Sequence, residues 1–205
     1  MSEKPWSKHE LDIVFGGGVA IANELLSEYP INCTIFVGLR ESLRKNIKTD
    51  MPEYSDEGIE EIIHGLETTY TMALLLSYPN YDENDVIIHF NFMIVMLLDK
   101  MVDYLHYEGL TIENARRYVE MTLKHEVGHI IDFNNRFVGL TEDEYLHILD
   151  IIKFEKKKYD EKYKDNNSGK RTTEEMYDYL NLEIEKRADN AVGLTWEDHL
   201  IENYK

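Results

Sequence analysis

Apolar positions Leu11, Val14, Phe15, Val19, Ala20 and Leu25 fall at mostly helical spacing between residues 7 and 29, with Gly16, Gly17 and Gly18 among them. This pattern predicts a helix bent at the glycine triplet. No Lys-Ser or Lys-Thr follows the glycines, so they lack the signature of a phosphate loop. After Pro30 the pattern changes: residues 31–37 are short, rich in β-branched types and closed by Gly38, which predicts a buried strand. Further strands are expected over residues 68–78, ended by Pro79-Asn80, and over 86–91, after the turn-forming stretch 80–85. From Phe92 the strand signals stop. A helix is expected to about Tyr107, a second opened by Thr111, and a third opened by Thr141 with Glu144 completing a capping box. Residues 165–171 (DNNSGKR) read as a surface loop, and Thr172 with Glu175 opens a final helix. A sheet-bearing part over about 1–91 and a helical part over about 92–205 predict one α+β domain with a small mixed sheet.

Composition narrows the partners. At 205 residues the chain is one domain's length, enough to bury roughly two-thirds of its unfolded surface. Forty acidic against 22 basic residues give a formal charge of -18, which repels nucleic-acid phosphates and anionic membranes. Cys33 is the lone cysteine and reads as a small buried apolar residue, so no intramolecular disulfide forms. The first residues are polar, without the apolar stretch of a secretory signal. The longest apolar run, 86–98, contains His89 and Asn91 and is shorter than the roughly 20 residues that span a bilayer. A soluble cytoplasmic protein without nucleic-acid or membrane partners is expected, and its Lys-, Asn- and Ile-rich character is compatible with a bacterial or phage source.

Candidate chemistry sits in the helix opened by Thr111, which contains His125-Glu126-Val127-Gly128-His129. Histidines four residues apart project from one helical face, one turn apart, and together can grip one ion at the roughly 2.1 Å that zinc prefers. Glu126, beside the first of them, is placed to accept a proton from a zinc-bound water as that water attacks a carbonyl. Gly128 in mid-helix costs about 1 kcal/mol relative to Ala, which makes sense if another backbone or the substrate passes close by. Such a site needs a third protein ligand. Glu185 and Asp189 are four apart and share a face, and like charges at that spacing destabilise a helix unless a cation lies near. Glu185 is the expected ligand, with Glu183 and Glu175 as substitutes. Asp189 would accept from a ligand histidine, and Asp132, three residues past His129, would support the site in the same way. Ala188 is small enough to let its helix approach. His64, His89, His106 and His147 read as core or surface residues.

HEVGH followed 56 residues later by Glu185-Lys-Arg-Ala188-Asp189 resembles the gluzincin metallopeptidases, whose pattern is HExxH then ExxAD or ExxAN. The ImmA/IrrE-like peptidases share it, as do the membrane-spanning CAAX prenyl proteases. His129-Ile-Ile-Asp132 also resembles the HExGHxxD of anthrax-lethal-factor-like peptidases. The resemblance implies a zincin-like domain that binds Zn2+ and hydrolyses a protein or peptide, with residues 86–91 as the edge strand that pairs with extended substrate. The alternative expectation is a regulatory or protein-interaction module on a zincin scaffold that binds without cleaving.

Overall fold

A computed structural model describes residues 6–52, 54–68, 72–164 and 172–205. The fold is built outward from its central strand. β3 (Ile87–Leu97) pairs in parallel with β1 (Asn32–Gly38) and antiparallel with β2 (Leu74–Tyr81), giving the order β1-β3-β2. Its second half is apolar on both faces. Phe92, Ile94 and Met96 enter one core, while Met93, Val95 and Leu97 enter a second.

The second core is closed by α2 (Arg40–Asp50) and α3 (Asp56–Thr68), which contribute Leu43, Ile47, Ile59, Ile62, Ile63 and Leu66. The first and larger core is closed by α1 (Lys8–Leu26), α4 (Leu98–Tyr107) and α5 (Ile112–Phe137). α6 (Glu142–Tyr163), α7 (Thr173–Leu180) and α8 (Glu183–Val192) follow, and two 3₁₀ turns, Trp196–His199 and Ile201–Tyr204, bring the chain back against α5. The result is an α+β domain.

The expected caps form. Thr111 accepts from the Asn114 amide, and Thr141–Glu144 and Thr172–Glu175 are reciprocal capping boxes; each such cap stabilises a helix by about 1 kcal/mol. Three expectations need correction. β3 does not stop at Asn91: a strand buried on both faces loses its period-2 signal, so the run from Phe92 to Leu97 reads as helix when it is strand. The strand expected over 68–78 runs from Leu74 to Tyr81, because Thr68 ends α3 and Pro79 and Asn80 stay paired with β3; residues 69–71 lie outside the described residues, as does the expected loop 165–171. The final helix is two helices. The Asn181 side chain donates to the Tyr177 carbonyl at 2.8 Å and Leu182 leaves the helical conformation, so a new helix starts at Glu183. Gly16, Gly17 and Gly18 lie within the continuous helix α1, and Gly17 and Gly18 face α5, where a Cβ would lie 3.0–3.1 Å from its side chains.

Candidate metal centre

α5 is the middle element of the domain, packed by α1 on one side and α8 on another. From Val127 to Phe133 every residue is buried, so this stretch has no solvent face on which to leave a polar group. His129 and Asp132 are nevertheless here, 9 % and 6 % exposed, with His125 two residues before the stretch at 8 %, opposite Glu185 and Asp189 at 6 % and 5 %. Buried charges of this kind persist only when paired or coordinating.

Gly128 sets how close the two helices come. A Cβ at this position would lie 2.1 Å from the Ala188 carbonyl oxygen and 2.8 Å from its carbon. Backbone meets backbone, and fully buried Ala188 completes the contact. At this separation, side chains one turn apart on each helix meet across the seam.

Three donor atoms converge there. His125 Nε2 and His129 Nε2 are 3.2 Å apart, and each is 3.1 Å from Glu185 Oε2. Behind them, the His125 Nδ1–H donates to Asp189 Oδ1 at 2.7 Å. With that proton spoken for, a neutral His125 turns its Nε2 lone pair toward a carboxylate oxygen and a second imidazole nitrogen. One His129 N–H can satisfy only one of those acceptors, whereas one cation satisfies all three. Ligands of a tetrahedral ion with bonds of about 2.1 Å lie roughly 3.4 Å apart, within a few tenths of the observed edges. The donor set therefore fits zinc.

In the metal-free seam a proton answers the same need. Burial alone would lower the His125 pKa, but the Asp189 and Glu185 carboxylates overcome it and raise the imidazolium to about 10. Burial would likewise raise Glu185, yet His129 and His125 hold its carboxyl well below the ordinary range. Asp189 is also lowered, its two imidazole donors outweighing desolvation. The pocket is one that holds positive charge among carboxylates. Glu126, next around the helix, is half-buried, and loss of solvent pushes its carboxyl up against the pull of the imidazoles.

Asp132 lands elsewhere. It touches neither imidazole; its Oδ1 accepts from Arg187 Nε and Nη2, both at 2.8 Å, and Arg136 lies 3.7 Å from Oδ2. Its part is to tie α8 to α5. Neither substitute ligand reaches the cluster. Glu183 is exposed near Arg187, and Glu175 is engaged in its capping box. Residues 86–91 pair with β2 on one side and, among the described residues, lack a partner on the other only over 88–90, so just this short part of β3 keeps an open edge. From Asn91 the strand is flanked by β1 and β2, and Ile87 bonds Leu140 and Gly139 on the side away from β2. The sheet's long edges are β1 and β2.

One residue of the cluster escapes sequence reasoning altogether. His199 Nε2–H donates to both Asp189 oxygens, at 2.9 and 3.1 Å, and its ring meets His125 edge to face at 4.9 Å. It sits in a polar stretch, TWEDHL, with no helical partner spacing to single it out. His64, His89, His106 and His147 belong to no three-donor cluster among the described residues. Cys33 is partly buried, and burial pushes its thiol up to about 12, as an inert packing residue requires. No helix among the described residues is long and apolar enough to cross a membrane. Compared with protein-family models, curated proteins and solved structures, the chain has no significant match.

Proposed function

We propose that this chain is a zinc-dependent metallopeptidase of zincin type, with His125, His129 and Glu185 as metal ligands and Glu126 as the proton-transferring group. The observation that carries the reading is the triangle of two imidazole nitrogens and one carboxylate oxygen, 3.1–3.2 Å on each edge, in a buried seam. Bound zinc would supply a coordinated water with a pKa near 7 and a Lewis acid for a carbonyl oxygen. Glu126 takes the proton of the attacking water and returns it to the departing amine, and its raised pKa brings it toward the operating pH. Asp189 fixes the tautomer of His125, and Asp132 with Arg187 holds α8 in register.

The substrate class is a protein or peptide. A charge of -18 disfavours nucleic acid and anionic membrane, and the lone Cys33 suits the cytoplasm. An extended substrate that adds to the sheet would use the long outer edges of β1 or β2.

The test is metal content and turnover together. Native protein should hold one zinc per chain and cleave unfolded protein substrates. Glu126→Gln should keep the zinc and lose at least about a thousandfold in turnover, in the range of proton-transfer and electrostatic terms combined. His129→Ala and Glu185→Ala should lose the metal. An unchanged rate in Glu126→Gln would remove the mechanism, and zinc-loaded native protein that cleaves nothing would move the chain to the binding-module reading.

A further inference from the structure

We infer that His199 is a positioning residue for the metal centre: donating from Nε2 to Asp189, it fixes the carboxylate that in turn orients His125. The inference rests on reading the triangle as a cation site, and its test separates the two.

Asp189 Oδ1 accepts two N–H groups at once, His125 Nδ1–H at 2.7 Å and His199 Nε2–H at 2.9 Å. A carboxylate with one donor can rotate about its last torsion and still satisfy it; two donors from different segments define its plane. The His199 ring also stands perpendicular to His125, at an interplanar angle of 90°. His125 is thus held twice, through Asp189 and through ring contact.

The segment carrying His199 is itself anchored at both ends. α8 ends at Gly193, whose φ of +69° turns the chain, and Leu194 N–H returns to the Asp189 carbonyl at 2.9 Å. Thr195 and Asp198 form a capping box on the 3₁₀ turn, with the Thr195 amide 2.7 Å from Asp198 Oδ2. Trp196 packs edge-on against Tyr177 of α7. Further on, the Tyr204 hydroxyl donates to the Asp198 carbonyl at 2.8 Å while its ring packs on Tyr118 of α5. Lys205 pairs with Glu108 at 2.9 Å. So α5 supplies the imidazoles, α8 the carboxylates, and residues 193–204 form a strap that closes the centre from behind.

Two variants separate the N–H from the ring. His199→Phe keeps the ring packing and removes the donor; His199→Gln keeps an N–H at the reach of Nε2 and removes the ring. With zinc alone as probe, in competition with a chromophoric chelator, His199→Phe should bind about tenfold more weakly, the usual loss for a partner of a metal ligand. His199→Gln should stay within about threefold of the native chain. In an Asp189→Ala background, His199→Phe should add nothing. The metal-free protein gives a second readout: the His125 Nδ1–H proton resonance should be present in the native chain, absent in Asp189→Ala, and exchange with water about tenfold faster in His199→Phe. Native affinity in His199→Phe, or an undiminished loss without Asp189, overturns the inference and leaves the zinc reading standing. A native chain that shows the Nδ1–H resonance and this His199 dependence but binds no zinc keeps the inference and removes the zinc reading.

Discussion

α5 is packed on two sides by the same device, a glycine at the crossing point, with different consequences. On the α1 side, a Cβ on Gly17 would meet the Glu120 and Arg116 side chains at 3.1–3.2 Å, and one on Gly18 would meet Leu123 and Val119 at 3.0 Å. On the α8 side, a Cβ on Gly128 would strike the Ala188 carbonyl at 2.1 Å. The first seam buries Val14, Phe15 and Ala22; the second buries His125, His129, Asp132, Glu185 and Asp189. Side chains at the α1 crossing can repack, because apolar contact is non-directional. The α8 crossing is fixed by two backbones, and its directional partners are satisfied only at one separation. Tight packing serves volume in one seam and the register of donors in the other.

The difference is broken most directly by Gly128→Ala. Helix propensity would favour the change by about 1 kcal/mol, whereas overpacking against unyielding backbone costs typically 1–3 kcal/mol and more when nothing can give. The helices must part, carrying Glu185 away from the imidazoles. Zinc affinity should fall by at least about a hundredfold, the upper end of the loss expected for disturbed metal surroundings, and the melting temperature by several degrees. Native affinity and stability in this variant would mean that the seam is as compliant as the α1 side.

Metal removal comes next. If the second seam is closed around a cation, chelation withdraws stabilisation of about 4 kcal/mol at free zinc a thousandfold above its Kd. Amide exchange should rise in α8 and in the 193–204 strap while α1 exchanges as before. Equal acceleration in α1 and α8 would show that the two seams open together.

The asymmetry also sets what the chain reveals of itself. His125, Glu126, His129 and Glu185 are legible because helical spacing converts sequence separation into a shared face, and Gly128 and Ala188 are legible as small residues where bulk is expected. Asp132 and His199 are not, since their partners come from another element: three-residue spacing places Asp132 near His129, but Arg187 reaches it first, and nothing local marks His199. In the fold, the capped starts of α6 and α7 are explicit in the sequence. A sheet-centred reading of the middle passes over α2 and α3, although Ile59, Ile62, Ile63 and Leu66 repeat at i, i+3, i+4 and i+7. β3 misleads for a different reason, having no polar face to betray its period.

Arg187→Met sharpens the comparison within the α8 seam. It removes the hydrogen bonds to buried Asp132 but leaves the Gly128–Ala188 contact in place. Hydrogen bonds to a charged group contribute about 1.5–3 kcal/mol, and the half-exposed Arg187 lies at the low end. Stability should drop by about 1–2 kcal/mol in denaturant titrations, with zinc affinity falling only a few-fold. A loss of affinity as large as in Gly128→Ala would make the ion pair, rather than the backbone contact, the element that sets the register.

Gly17→Ala should do least, and for that reason it tests the comparison from the other side. Its new methyl would press on the Glu120 carboxylate and the middle of the Arg116 chain, two flexible side chains paired with each other, of which Arg116 is 40 % exposed. Shifting them by a few tenths of an ångström costs little, while replacing a mid-helix glycine gains about 1 kcal/mol. The two terms nearly cancel or leave a small stabilisation, and zinc affinity should match the native chain, because α1 carries none of the donors. A Gly17→Ala protein that lost zinc would show that the spacing of α1 is transmitted across α5 to the histidines. The two seams would then be one mechanical unit.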